Sequence, residues 1–207
     1  MDRTQRLTLV ATGLGLFMIF LDALIVNVAL PDIQKSFAVG EAGLQWVVAA
    51  YSLGMAVFIM SGATLADLYG RRRWYVAGIV VFTGSSIACG LAPSLDILNV
   101  ARGVQGVAAA TTNVTSLALV SAAFADPKQK ARAIGIWTAI ASVGTAVGPT
   151  LGGLLVEQLG WRSIFLVNVP VGIVVVYLAL RHVAESRDER PRTLDPLGQA
   201  LFIVAVG

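Results

Sequence analysis

Charge is scarce in this sequence. Lys, Arg, Asp and Glu make up 13% of its 207 residues, about half the share of roughly 25% usual in soluble domains. So few charges argue against one or two soluble domains. Cysteine is scarcer still. The lone Cys89 rules out an intrachain disulfide and fits a packing role. The lone histidine, His182, stands in a charged stretch without partner ligands, so no metal site or metal cofactor is expected.

Apolar residues fill the space: 57% of the chain is hydrophobic, in blocks over 7–30, 44–66, 74–95, 97–125, 133–156 and 163–180. About 20 apolar residues rise roughly 30 Å as a helix, the thickness of a bilayer's hydrocarbon core. Six membrane-spanning helices are expected. The first block follows Arg3 and Arg6 but is too long for a secretory signal, contains Asp22 and lacks a small-x-small cleavage site.

Basic residues support the same count. If successive spans alternate, twelve of the fifteen Lys and Arg residues fall on one side, Lys35 and Arg162 fall on the other, and Arg102 lies within a span. The positive-inside rule then puts the N-terminus and the even-numbered loops in the cytoplasm. The net charge of +3 therefore reflects topology and not nucleic-acid affinity. An N-terminal bundle is expected over 1–180 and a cytoplasmic linker over 181–196. The eleven residues 197–207 are too few to cross a bilayer, so they read as the start of a seventh helix. A longer protein is expected, with its C-terminal half missing from this chain.

An internal repeat is visible at an offset of 90 residues. "GATLADLYGRRR" from Gly62 overlays "GGLLVEQLGWRS" from Gly152, matching Gly62, Leu65, Gly70 and Arg72 with Gly152, Leu155, Gly160 and Arg162. Asp67 meets Glu157. Three helices separate the two loops, so the repeat has inverted topology, as expected within each half of a major facilitator. The alternative is that two helical hairpins independently chose a glycine cap beside a charge.

Four motifs carry a family resemblance. "LADLYGRRR" supplies Asp67, Gly70, Arg71 and Arg72, followed by Arg73. "LNVARGVQGVAAA" supplies Arg102, Gln105 and Gly106, and with Ala109, Thr112, Asn113 and Ser116 it makes one stripe at helical spacing. "GTAVGPTLGG" supplies Gly144, Gly148, Pro149, Gly152 and Gly153; three of its glycines recur every four residues, a flat stripe for close helix approach. "LDALIVNVALP" supplies Asp22 and Asn27. The chain resembles the N-terminal portion of a major facilitator superfamily transporter of the fourteen-helix drug:proton antiporter kind, which includes mycobacterial multidrug efflux proteins of the spectinomycin/tetracycline type. The stretch "WRSIFLVNVPVG" resembles the sixth-span entry of that branch.

The resemblance implies an all-α membrane protein: a six-helix major facilitator bundle of 3+3 inverted repeats plus the start of a seventh helix. It implies Asp67, Gly70, Arg71 and Arg72 as a cytoplasmic gating loop, Arg102 as a proton-transfer residue, and the fifth-span glycines and Pro149 as an antiporter signature. Asn27, Gln105 and Asn113 are candidate substrate contacts. Departures from the pattern are Ala63 for Gly, Leu68 for Arg and Leu24 for Thr. Each motif also has a plain structural reading: arginines that set topology, an Arg102 that snorkels to headgroups, a generic packing stripe, and an aspartate buried for packing.

Asp22 needs an explanation because a charge at the centre of a membrane helix costs roughly 2.5–3.5 kcal/mol on insertion scales. It lies nine residues before Pro31, about 13 Å from the outer end, and Arg102 follows Asp96 by six, about 9 Å. The two charges are expected at similar depth, facing a central water-filled cavity. Burial favours a neutral carboxyl and a guanidinium favours the ionised form, so small rearrangements can move a proton on or off. The function expected is efflux of amphiphilic, often cationic, drugs across the cytoplasmic membrane in exchange for protons. Drug and proton would compete for Asp22, and the proton gradient, with no cofactor, would supply the energy. The expected partners are drug, protons and membrane lipid, with no nucleic acid. Alternatives are a symporter or uniporter importing a nutrient, and a membrane receptor or scaffold. An intramembrane enzyme ranks last, since no Ser/His, paired-Asp or metal constellation shares one depth.

Overall fold

The computed structural model describes residues 1–187. The expected linker beyond residue 187 and the expected seventh helix over 197–207 lie outside the described residues. Among the described residues seven helices run in order: α1 (Arg3–Phe37), α2 (Glu41–Tyr69), α3 (Arg71–Gly90), α4 (Leu95–Ala123), α5 (Pro127–Leu159), α6 (Ser163–Leu166) and α7 (Asn168–His182). The short α6 and α7 together occupy the sixth expected span, interrupted at Val167. Its last helix ends at His182, two residues beyond the expected bundle boundary.

Local chemistry sets the ends. Asp2 and Gln5 form a capping box at α1, Ser94 caps α4, and Asp126 caps α5 just before Pro127. Gly70 ends α2 at φ 106° and Gly160 ends α5 at φ 81°, backbone conformations that glycine adopts without steric cost. These are the two glycines paired by the 90-residue repeat. Their N–H groups donate to the carbonyls of Ala66 and Val156, also 90 residues apart.

Five stretches among the described residues are long and apolar enough to cross a membrane: α1, α2, α4, α5 and the α6–α7 stretch Ser163–His182. The third expected span is the exception. Arg71, Arg72 and Arg73 fill the first turn of α3, and Thr83, Gly84, Ser85 and Ser86 lower its apolar content. Its 20 residues still reach about 30 Å, and it packs against α2, α4 and α7.

The helix partners follow the repeat. Helix α2 lies along α4 and α5 along α1, while α3 packs on α4 and α7 on α1. Shifting the first member of each relation by three spans gives the second. One end of the bundle joins Gln5 to the carbonyl of Ala123, and Arg71 N–H to the carbonyl of Ser186. The opposite end joins the Trp161 indole to Ser36 and the Arg162 guanidinium to the Ala92 carbonyl. With α6 and α7 counted as one stretch, successive helices therefore alternate in direction.

Candidate functional site

Asp22 projects from α1 into the bundle interior, with none of its surface exposed. Its Oδ2 accepts from Arg102 Nη1 on α4 at 2.5 Å. Its Oδ1 accepts from Gln105 Nε2 at 3.0 Å and from Asn168 Nδ2 on α7 at 2.8 Å. Three donors from two other helices thus replace the water this carboxylate has lost, the condition under which a buried charge is tolerated.

Arg102 is equally enclosed. Its Nε donates to the Val47 carbonyl at 3.1 Å and its Nη1 to Gln105 Oε1 at 2.8 Å. The guanidinium carbon lies 4.3 Å from the centre of the Tyr51 ring and 5.8 Å from that of Phe165, favourable cation–π placements. Tyr51 approaches because of Gly106: a Cβ there would collide with the Tyr51 carbonyl. The Arg-x-x-Gln-Gly pattern thus has a local cause. Three residues put Arg102 and Gln105 on one face, and the next glycine lets α2 in. The guanidinium does not snorkel.

Ser86 on α3 completes the cluster, accepting from Gln105 Nε2 at 2.6 Å and from Asn168 Nδ2 at 3.0 Å. The Cys89 thiol lies 3.7 Å from Gln105 Oε1, so it packs in the core and also touches the polar cluster. Sequence reasoning missed Asn168, Ser86 and Tyr51. Each lies on a different helix from Asp22 and Arg102, and spacing within one helix carries no signal of such a meeting.

The structure corrects the expectation of a cavity-facing stripe. Arg102, Gln105, Ala109, Thr112 and Ser116 are all buried, and α4 presents them to α1, α2 and α3. The stripe is polar because it lines the interior. Asn113 is only partly buried and Asn27 is exposed, its Nδ2 donating to the Leu24 carbonyl of its own helix at 3.3 Å. Neither joins the Asp22 cluster. Five residues on a helix place Asn27 about 140° around α1 from Asp22. Direct competition of a drug with a proton for Asp22 does not fit this enclosed arrangement.

The fifth-span glycines face α1. A Cβ on Gly144 would sit 2.7 Å from the Phe17 carbonyl oxygen, and one on Gly152 would sit 2.8 Å from Ile25 Cγ1. Gly148 lies against Leu21 and Leu24. The stripe therefore presses on the segment of α1 that carries Asp22. Pro149 is exposed within an unbroken α5, and Gly153 has open space beside it.

At the arginine-rich end, Asp67 pairs with Arg71 at 2.7 Å across one helical turn. Glu185, just beyond α7, accepts from the backbone N–H groups of Arg72 and Arg73 at 2.9 and 3.3 Å. It caps α3, since Gly70 offers no side chain to do so. Arg72 Nη1 also reaches the Val183 carbonyl at 3.3 Å. The loop expected to act as a gate is therefore fastened to the start of the following linker.

A sequence profile of the Major Facilitator Superfamily matches residues 12–205. The chain belongs to the major facilitator superfamily. Among its relatives within that superfamily, Multidrug resistance protein Stp of Mycobacterium tuberculosis is 74% identical over 207 residues. Drug efflux pump JefA of the same species is 57% identical over 206. Both alignments cover the whole chain, which spans 38% and 41% of the two relatives' lengths. The Methylenomycin A resistance protein of Bacillus subtilis is 35% identical over 96% of the chain and 42% of its own length. A crystal structure of a bacterial homologue of the human lysosomal transporter Spinster, inward-facing and unoccupied, matches the major facilitator fold seen here. It aligns at a TM-score of 0.72 and 21% identity, over 97% of this chain and 48% of the other.

Proposed function

We propose that this chain is the N-terminal bundle of a transporter that exports small amphiphilic compounds in exchange for protons. The observation that carries the reading is the fully enclosed Asp22–Arg102 pair, braced by Gln105 and Asn168. A buried ion pair is weak evidence for stability, because desolvation offsets the attraction. A titratable group kept inside a membrane bundle at that cost is by default a functional site.

In this reading a proton on Asp22 cancels its charge, releases Arg102 and loosens α1 from α4 and α7. Because no drug reaches the enclosed carboxylate, coupling is indirect: protonation changes how the helices pack, and the packing changes the substrate surface. Alternating access then carries drug one way and protons the other. The relatives named as multidrug or efflux proteins support export as the direction. The arginine-rich end, carrying Arg71, Arg72 and Arg73, faces the cytoplasm by the positive-inside rule.

The test is transport of tetraphenylphosphonium, a lipophilic cation, by the full-length protein in liposomes with an imposed pH gradient. The parent protein accumulates the cation against its gradient and Asp22→Asn does not. Gradient-driven accumulation by Asp22→Asn at the parent rate would contradict the proposal.

A further inference from the structure

Asn168 is unlike every other member of the cluster. It is wholly buried, its Nδ2 donates to both Asp22 Oδ1 and Ser86 Oγ, and its Oδ1 has no partner among the described residues. Leaving a buried amide oxygen unpaired costs free energy, and such a group in a native interior calls for a reason. We propose that Asn168 is a proton-state switch: its amide donates to ionised Asp22 and turns over to accept from Asp22 once that residue is protonated.

An ionised carboxylate only accepts, whereas a protonated one also has an O–H to donate. A proton arriving at Asp22 therefore needs a new acceptor in a space filled with donors. Arg102 cannot supply one, since a guanidinium has no acceptor, and it is held by the Val47 carbonyl and Tyr51. Gln105 is engaged at both ends: its Oε1 accepts from Arg102 and its Nε2 donates to Asp22 and Ser86. Turning Gln105 would break the bond to the guanidinium.

Asn168 alone can turn without giving up a bond to its oxygen. After a half-turn of the amide, Oδ1 faces Asp22 Oδ1 and the Ser86 hydroxyl. It accepts the carboxyl proton from the first and the hydroxyl proton from the second. The amide nitrogen then occupies the place left by the oxygen and is unpaired in its turn. One buried amide atom goes without a partner in either state, so the turn does not add to the number of unpaired amide atoms. A two-state element of this kind responds to a small bias. Among the described residues, the other titratable groups that feel the Asp22 charge are Arg102 on α4, Tyr51 on α2 and Cys89 on α3. Helix α7 contributes Asn168, and α5 contributes the glycines behind α1. Because Asn168 opens α7, which ends at His182 just before Val183 and Glu185, the turn links Asp22's proton to the helix that leads to the arginine-rich end.

This inference rests on the antiport reading above, and its experiment separates the two. Infrared difference spectra between acidic and alkaline conditions are recorded on the full-length protein carrying isotope-labelled asparagine. The expected result is an asparagine amide shift that appears with Asp22 protonation and vanishes in both Asn168→Leu and Asp22→Asn. In liposomes, Asn168→Leu should lower pH-gradient-driven tetraphenylphosphonium accumulation about tenfold, the scale of losing one hydrogen bond to a charged group. Asn168→Gln should recover part of the driven activity. An amide band indifferent to Asp22 protonation overturns the switch even if the leucine variant fails to fold. Driven transport lost in Asp22→Asn but intact in Asn168→Leu overturns the switch alone. Driven transport intact in both overturns the antiport reading as well.

Discussion

Arg102 meets Asp22 across the bundle interior at 2.5 Å, with at most 1% of either side chain exposed. A guanidinium left in that space without its carboxylate would be an uncompensated charge. Replacing Asp22 by Ala should therefore lower stability by about 3–5 kcal/mol, read as a fall in the thermal unfolding midpoint of the detergent-solubilised protein. Replacing both residues with apolar side chains of similar volume should restore much of that loss while leaving transport absent.

Arg102→Lys tests geometry separately from charge. Lysine keeps the positive charge but lacks the planar fork that reaches Val47, Gln105 and Asp22 together while lying on the Tyr51 ring. Driven export should fall by at least about tenfold, the effect of one lost charge-assisted hydrogen bond. Liposome transport assays at matched protein content check this.

The two kinds of glycine in α5 should behave oppositely. A methyl group at Gly144 meets the Phe17 carbonyl, and overpacking of this sort costs about 1–3 kcal/mol. At Gly153 a Cβ meets nothing, and the alanine gains up to about 1 kcal/mol of helix propensity. Gly144→Ala should therefore lower the unfolding midpoint and impair export, whereas Gly153→Ala should leave export intact and hold or raise the midpoint.

Glu185 fastens the end of α7 to the start of α3 through the N–H groups of Arg72 and Arg73. Removing a helix-capping acceptor costs about 0.5–2 kcal/mol. Glu185→Ala should expose the junction between α2 and α3 more often. The check is faster hydrogen exchange of the Arg72 and Arg73 backbone amides, whose N–H groups Glu185 accepts from.

Much of the fold could be read from the sequence because a bilayer permits few solutions. Apolar blocks of about 20 residues coincide with α1 to α5 and with the α6–α7 stretch, and all of these but α3 are long and apolar enough to cross a membrane. The glycines at 70 and 160 announced both the turns and the repeat that relates α2 on α4 to α5 on α1. Asp22 and Arg102 could be matched in depth by counting residues at 1.5 Å each. Their surroundings could not. Whether a polar stripe faces water or the interior depends on which helices lie beside it, and periodicity along one helix is silent on that. Asn27 and Asn113 therefore looked equivalent to Gln105, and only Gln105 joins the cluster. Asn168 was hidden for the opposite reason: a single polar residue among valines next to a proline shows no pattern until α7 is laid against α1. Glu185 was one acid in a charged linker, and its role follows from an α3 N-terminus that Gly70 cannot cap.

The most direct measurement is of proton release when a drug binds. Tetraphenylphosphonium is added to the purified full-length protein in weakly buffered detergent solution near neutral pH, and the change in pH is followed with an indicator dye. The account predicts that the parent protein releases protons on binding and that Asp22→Asn binds the cation with no release. Equal release from the parent and from Asp22→Asn would contradict it, because the exchanged proton would then reside on another group.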